Sequence, residues 1–180
     1  LGGCQFIVSP ASFFQVNPQQ ADLMYETIVD FAEIFPSSKV LDAYCGVGTM
    51  ALILSKKAGS VHGIECVTDA VVDARKNAIL NNIENATFEV GVLEKMNFKT
   101  NHFDIVLLNP PRKGCEPEAL QKIIELKAAR IVYTSCDPAT LARDLFILKN
   151  HGYQIDKVQP FDMFPQTMHV ETVVKLSSAS

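Results

Sequence analysis

The chain has 180 residues, of which 48% are hydrophobic and 20% are charged, and its formal net charge at pH 7 is −4. This length predicts one domain with a single substantial core. The negative net charge argues against strong binding of nucleic acid by general electrostatic attraction. The five cysteines are widely spaced and form no Cys-x-x-Cys pair, so neither a zinc site nor a disulfide framework is indicated. Without a membrane-length apolar run or a signal peptide, we expect a cytoplasmic protein.

Apolar periodicity divides the chain into alternating strands and helices. Asn17 and Pro18 are suited to cap and begin the first helix. The pattern predicts extended segments at 5–8 and 13–16, helices at 17–35, 50–54, 69–81, 117–126 and 139–149, and strands at 39–43, 60–65, 87–90, 103–108, 130–133, 153–161 and 170–176.

This alternation, with short loops between the elements, predicts an α/β fold with a mostly parallel sheet that helices cover on both faces. The last two strands have no helix between them, so we expect a terminal hairpin and one antiparallel strand. In such sheets, ligands bind at the carboxyl ends of the strands.

The first strand leads into a glycine turn with an acid on either side of it. Gly46 and Gly48 let the backbone approach a ligand before a helix begins, as nucleotide-binding turns require. Glu65 can accept both hydroxyls of a ribose, an arrangement that NAD enzymes and S-adenosylmethionine (SAM) enzymes share. Asp42 favours SAM, whose methionine ammonium needs a nearby carboxylate. The alternative is that both acids are ordinary capping residues.

A proline-stiffened loop at 109–114 follows the fourth strand. Asn109 can offer a donor and an acceptor to a planar base or to the cofactor amine, and Arg112 with Lys113 supplies positive charge for a phosphate. The alternative is a rigid turn with a solvated basic pair. An aromatic residue in place of Arg112 would have indicated amino methylation of adenine.

Cys136 lies between a strand and a helix that Asp137 caps and Pro138 begins. The positive end of the helix dipole favours thiolate there, although most free cysteines are simply small buried hydrophobic residues. Near the final strand, Glu171 and His169 are candidate general bases, and the alternative is that both are merely exposed.

Six motifs together resemble the RNA 5-methyluridine methyltransferase family, which modifies uridine C5 in ribosomal and transfer RNA. They follow the family's order and cover nearly the whole chain. They are Phe14-Gln15-Val16-Asn17, Asp42-Ala43-Tyr44-Cys45-Gly46-Val47-Gly48-Thr49, Gly63-Ile64-Glu65, Asn109-Pro110-Pro111-Arg112-Lys113-Gly114, the segment from Ser135-Cys136-Asp137-Pro138 to Leu145, and Phe164-Pro165-Gln166-Thr167-Met168-His169-Val170-Glu171.

The resemblance implies a SAM-dependent class I methyltransferase with a Rossmann-like fold and a covalent mechanism. It makes Cys136 the nucleophile that adds to uracil C6 and Glu171 the base that removes the C5 proton. The target base must also leave its stack in folded RNA. Cofactor contacts are expected from Gln15, Asp42, Tyr44, Gly46, Gly48, Glu65 and Asn109, and substrate contacts from Asn109, Arg112 and His169.

Two positions depart from the family pattern. Asn109 stands where the family usually has Asp, and Val92 where an acid or amide commonly meets the adenine amino group. These departures favour the alternative of a SAM-binding, RNA-associated scaffold with impaired catalysis. Two further alternatives are a methyltransferase for another RNA position and an NAD-dependent oxidoreductase with the same kind of sheet.

The resemblance also predicts how the chain is organised. Residues 1–36 would form an N-terminal strand and helix that complete the cofactor site, and 36–180 the methyltransferase core. Many family members carry an RNA-binding β-barrel and some an iron–sulfur cluster, neither of which is in this sequence. We expect a monomeric catalytic domain of a longer enzyme, without a metal of its own and with rRNA as the favoured substrate.

Overall fold

The computed structural model describes residues 2–7, 17–98, 102–163, 165–167 and 170–179. In these ranges the helices are α1 (Pro18–Ala32), α2 (Thr49–Ser55), α3 (Thr68–Leu80), α4 (Pro117–Leu126) and α5 (Pro138–Asn150). The strands are β1 (Lys39–Asp42), β2 (Ser60–Glu65), β3 (Ala86–Val90), β4 (Ile105–Leu108), β5 (Arg130–Ser135), β6 (Tyr153–Phe161) and β7 (Glu171–Ser178). None of the described helices has the length and apolar character that crossing a membrane requires.

The seven strands form one sheet in the order β3-β2-β1-β4-β5-β7-β6. The first five pair in parallel, whereas β7 is antiparallel to both of its neighbours. This confirms the predicted hairpin and the single antiparallel strand. The strand order reverses between β1 and β4, and ligands bind at such a switch point in open α/β sheets.

Helices cover both faces of the sheet, as the sequence predicted. On one face, the buried side chains of α1, α2 and α3 form a core that includes Met24, Leu52 and Val71. On the other face, α4 and α5 bury Leu120, Ile123 and other side chains against the alternate residues of the same strands. The strands are therefore buried from both sides, as parallel sheets generally are.

The first helix begins as predicted but ends earlier. The Asn17 side chain accepts a hydrogen bond from the Gln20 amide at 3.3 Å, and Pro18 is the first helical residue. The helix ends at Ala32 because Glu33 takes a left-handed conformation, with φ of 45°, and closes the last turn on Asp30. Apolar spacing alone extended the predicted helix to residue 35.

The strand predicted at 5–8 is wrong for its described part. Residues 5–7 have no regular secondary structure, lie beside α3 and pair with side-chain amides rather than with another strand. Asn81 exchanges hydrogen bonds of 2.9 and 2.7 Å with the backbone of Gln5, and Asn77 does the same with Ile7 at 2.7 and 3.1 Å. The segment predicted at 13–16 lies outside the described residues.

Candidate active site

A cavity of about 520 Å³ opens at the carboxyl edge of the sheet. This volume lies within the range of small-molecule and cofactor sites. Its walls come from the ends of β1, β2, β4 and β5 and from one face of α1. Of the predicted cofactor residues, Asp42, Tyr44, Gly46, Glu65 and Asn109 border it.

The glycine turn after β1 forms one wall of the cavity. Gly48, the N-cap of α2, has φ of +84°, and a Cβ there would lie 3.0 Å from Phe88 and 3.1 Å from Ala74. Gly46 has φ of +53°, and a Cβ there would meet no atom within 4 Å. Gly48 therefore allows close packing. Gly46 borders open space and exposes its backbone to any ligand in the cavity.

Asp42 is a buried carboxyl group with an unused oxygen. The side chain is 3% exposed and borders the cavity, and its Oδ2 has no hydrogen-bond partner among the described residues. The pKa of Asp42 is raised to about 7, mainly by burial and also by the nearby charge of Glu65, although hydrogen bonds from the Ala51 and Tyr44 backbone lower it. A ligand ammonium would supply the missing donor, so this residue fits the predicted SAM site.

The Glu65 carboxylate is hydrogen-bonded both to the turn before α3 and to the glycine turn. Its Oε1 accepts from the Val67 amide at 2.9 Å and from the Cys66 thiol at 3.2 Å, which stabilises the turn before α3. Its Oε2 accepts from the Gly46 amide at 3.2 Å. The carboxylate thus stabilises the turn before α3, joins the glycine turn to the end of β2 and borders the cavity.

The loop at 109–114 forms the opposite wall. Asn109 is exposed at the end of β4 and borders the cavity with Pro111, Lys113 and Gly114. Arg112 is exposed on the same loop. Lys113 of the predicted basic pair forms an ion pair with Glu116. Val92 borders the cavity as well, which places an apolar side chain in the predicted adenine region.

Cys136 and Glu171 meet at the same edge of the sheet. Ser135 pairs with Thr172 in the antiparallel ladder, so Cys136 and Glu171 continue that register by one residue on each strand. Cys136 is half-buried and Glu171 is 8% exposed. Cys136 and Glu171 are not among the described residues that border the cavity, so both lie beside it.

The cap of α5 is confirmed, but its expected effect on the thiol is outweighed. Asp137 Oδ1 accepts from the Ala139 and Thr140 amides, both at 3.0 Å, and Pro138 begins the helix. Burial nevertheless raises the pKa of Cys136, and the carboxylate of Glu171 adds to this, while Arg112 lowers it. Burial also raises the pKa of Glu171. The resting site therefore favours a neutral thiol, contrary to the thiolate expected from the helix dipole.

Two of the predicted site residues, Gln15 and His169, lie outside the described residues. Their roles therefore stay predictions. Among the described residues, no group of three or more His, Cys, Asp or Glu side chains is arranged to hold a metal ion.

Tyr25 is a site residue that sequence reasoning missed. This buried side chain of α1 borders the cavity together with Met24 and Ile28. The pKa of Tyr25 is raised to about 12, mainly by burial and also by the charges of Asp22, Glu171 and Asp42, so the phenol lies near both carboxyl groups of the site. Helical spacing assigned this face of α1 to the core. The one feature of the sequence that could have indicated a site residue here is the hydroxyl of Tyr25 among the aliphatic side chains of this face.

Replacing Asp42 with asparagine is expected to weaken binding of S-adenosylhomocysteine at least about tenfold, because the ligand ammonium loses its counter-charge. The same change is expected to stabilise the ligand-free protein at pH 8. The pKa of Asp42 is about 7 in the fold against a usual value of 3.8, so burying its charged form costs stability as pH rises from about 4 towards 7. By that shift, the gain at pH 8 is of the order of 1–4 kcal/mol.

Calorimetry gives the affinity, and thermal unfolding at pH 4 and pH 8 gives the stability difference. The stability gain of the Asp42→Asn variant should be small at pH 4, where the wild-type carboxyl group is largely protonated. Equal affinity for S-adenosylhomocysteine in the two proteins would show that Asp42 does not hold the ligand.

The strand order and the helices on both faces, with a glycine turn at the cavity, define the class I methyltransferase fold. A similar fold occurs in an rRNA methylase from Streptococcus thermophilus, with a TM-score of 0.70 at 16% identity over 89% of this chain and 97% of that one. More particularly, the chain belongs to the tRNA (uracil-5-)-methyltransferase family, whose model matches residues 4–179. Both the fold class and the resemblance from the sequence motifs are thereby confirmed.

Two relatives show the extent of the match. An uncharacterized RNA methyltransferase of Bacillus cereus is 46% identical over 98% of this chain and 39% of its own length. The Pyrococcus abyssi tRNA (uracil-54, C5)-methyltransferase, solved with S-adenosyl-L-homocysteine, is 38% identical, with a TM-score of 0.85 over 95% of this chain and 41% of that one. The chain thus spans about two fifths of the length of these proteins.

Proposed function

We propose that the protein methylates C5 of uridine in RNA through a covalent cysteine adduct at C6. The observation that carries this proposal is the register that brings Cys136 opposite Glu171 at the edge of the sheet where the cavity opens. A nucleophile and a base side by side are what C5 methylation of a pyrimidine needs, because C5 alone is too weak a nucleophile.

In the proposed reaction, the Cys136 thiol gives up its proton to solvent and the thiolate adds to C6 of uracil. The electron pair moves to C5 and its conjugated carbonyl, so C5 becomes the nucleophile. Bound SAM would supply the methyl group to C5, with loss of its S–CH3 bond, and would be left as S-adenosylhomocysteine. The Glu171 carboxylate then takes the C5 proton, the C5–C6 double bond re-forms, and the C6–S bond breaks to release the cysteine.

The surrounding residues are assigned by their places around the cavity or, where they do not border it, by the family motifs. Asp42, Tyr44, Gly46, Glu65 and Asn109 border the cavity and are proposed to hold SAM, with Gly48 and Gln15 added from the motifs. Asn109 and Arg112, with His169, are proposed to contact the RNA. The α1 residues on the cavity support the proposal that the segment 1–36 completes the cofactor site.

The RNA and the cellular setting are also proposals. The family description and the name of the Pyrococcus abyssi relative both specify tRNA, and that relative modifies uracil-54 by its name. Our preference for rRNA stays a prediction beside this alternative. We also propose that the enzyme is a monomer and that it acts in the cytoplasm.

The principal rival is a scaffold that binds SAM and RNA without catalysis. It is favoured by the neutral Asn109 and the apolar Val92, both of which border the cavity. This rival predicts binding of both ligands without formation of a methylated nucleoside.

The full-length protein should be incubated with SAM and with transcribed tRNA and rRNA fragments, followed by digestion and mass analysis of the nucleosides. We expect 5-methyluridine from one of the two RNA classes. Methylated adenosine would indicate another RNA position, and binding without any methylated nucleoside would support the scaffold. Binding of NAD without binding of S-adenosylhomocysteine would instead indicate an oxidoreductase.

A further inference from the structure

A buried carboxylate outside the cavity organises the loop at 109–114. Asp144 of α5 is 0% exposed. Its Oδ2 accepts from the Tyr133 hydroxyl at 2.6 Å and from the Cys115 amide at 2.8 Å, and its Oδ1 accepts from Arg143 Nε at 2.8 Å. A buried charge requires this many donors, so the carboxylate fixes each group that it contacts.

Arg143 extends this network along the backbone of the loop. Its Nη2 donates to the Lys113 carbonyl at 3.0 Å and to the Cys115 carbonyl at 3.1 Å, and contacts Asp144 Oδ1 at 2.7 Å. One turn earlier in α5, Thr140 Oγ1 donates to the Arg112 carbonyl at 3.1 Å. Side chains of α5 therefore hold the loop backbone on both sides of Gly114.

Gly114 shows how closely the pair encloses the loop. Its φ is +76°, and a Cβ at this position would lie 2.6 Å from Arg143 Nη2 and 2.7 Å from Asp144 Oδ2. Any side chain here would both strain the backbone and displace the ion pair. The glycine of the Asn-Pro-Pro-Arg-Lys-Gly motif is thus required by Arg143 and Asp144 and not by the turn alone.

The network also reaches the cavity wall. The Tyr133 hydroxyl lies 3.6 Å from Cys115 Sγ, and Tyr44 packs against the core cluster that contains Cys115. Tyr44 borders the cavity. The helix that carries Asp144 begins at Pro138, directly after the turn that carries Cys136. The loop at 109–114 and the turn that carries the nucleophile are therefore attached to one helix.

We propose that Arg143 and Asp144 are positioning residues that fix the loop of Asn109 and Arg112 relative to Cys136. This inference rests on the proposed function, since it assigns the loop to the substrate. Neither residue touches the reacting atoms. Their role is to keep the loop and the nucleophile in one rigid arrangement, so that a bound uridine meets both in the productive geometry.

The test compares Arg143→Ala with Arg130→Ala in the full-length protein. Arg130 is a matched control because it also forms an ion pair, with Glu33 at 2.8 Å, and donates to two carbonyls, those of Ala32 and Glu33. It lies at the start of β5, the opposite end from Cys136. Arg143 is half-exposed, so its removal leaves Asp144 with the donors of Tyr133 and Cys115.

Two readouts separate positioning from general destabilisation. The first is the single-turnover rate of adduct formation with RNA that contains 5-fluorouridine, measured at saturating SAM and RNA. The second is amide hydrogen exchange of the segment 112–116. Arg143→Ala is expected to slow adduct formation about tenfold or more and to speed exchange of this segment, whereas Arg130→Ala should change both less than about twofold.

A lysine at position 143 should restore only part of the rate, because an ammonium cannot reproduce the planar fork of arginine. Equal rates and equal exchange in Arg143→Ala and Arg130→Ala would overturn the inference. If the wild-type protein forms no adduct, the proposed function fails, and exchange of the segment 112–116 still decides whether the pair orders the loop.

Discussion

Replacing Cys136 with alanine is expected to abolish both the covalent RNA adduct and the formation of 5-methyluridine. The loss should be about a thousandfold or more, because no other group adds to uracil C6 in its place. RNA with 5-fluorouridine traps the wild-type adduct, which denaturing electrophoresis detects. The expected result is a shifted band for the wild type and none for Cys136→Ala.

Cys4→Ala is the matched control, since Cys4 is a buried cysteine that does not belong to the described cavity wall. It should form the adduct at a rate close to that of the wild type. An adduct in Cys136→Ala would show that another nucleophile attacks the base. Equal binding of RNA and S-adenosylhomocysteine by both variants would establish that only the chemistry has changed.

The reactivity of Cys136 should also depend on pH in a specific way. Burial and the charge of Glu171 raise the pKa of the thiol, so its alkylation by iodoacetamide should accelerate as pH increases past neutrality. Arg112 lowers the same pKa, and the Arg112→Gln variant should therefore need a higher pH for the same rate. Because Arg112 is exposed, salt should reduce this difference.

The fold could be predicted because apolar periodicity is a local property of the sequence. Contacts between residues that are distant in the sequence could not be predicted in the same way. Residues 5–7 have the apolar content of a strand, but their hydrogen bonds go to Asn77 and Asn81, whose distance in the sequence hid the contact. The end of α1 likewise depended on the backbone conformation of Glu33 and not on hydrophobic spacing.

The same distinction applies to the candidate site, where local motifs could be recognised but contacts between distant residues could not. Motif positions indicated Asp42, Glu65 and Cys136, because glycine turns and strand ends have recognisable sequences. The pKa of Cys136 could not be predicted, since it depends on burial and on a carboxylate that the antiparallel pairing of β5 and β7 brings near. Asp144 was equally hidden, because a charged residue on a helix is usually exposed and this one is enclosed by a loop.

Replacing Glu171 with glutamine is expected to separate the two halves of the proposed reaction. Glutamine cannot accept the C5 proton, so the methylated adduct should accumulate on ordinary uridine RNA and turnover should fall about a thousandfold. The first half of the reaction, addition of the Cys136 thiolate to C6 and methylation of C5, should still occur. Because the charge of Glu171 raises the pKa of Cys136, its removal favours the thiolate, and addition to C6 at neutral pH should be at least as fast as in the wild type.

Denaturing electrophoresis of Glu171→Gln with unmodified RNA and SAM checks the accumulation, and mass analysis of the adduct checks that it carries the methyl group. Asp162→Asn is a suitable control, since Asp162 is an exposed acid that directly follows β6 near the same hairpin. Normal turnover in Glu171→Gln would show that another group removes the proton. Loss of the adduct in this variant would instead make Glu171 necessary for the addition step, which its effect on the pKa of Cys136 argues against.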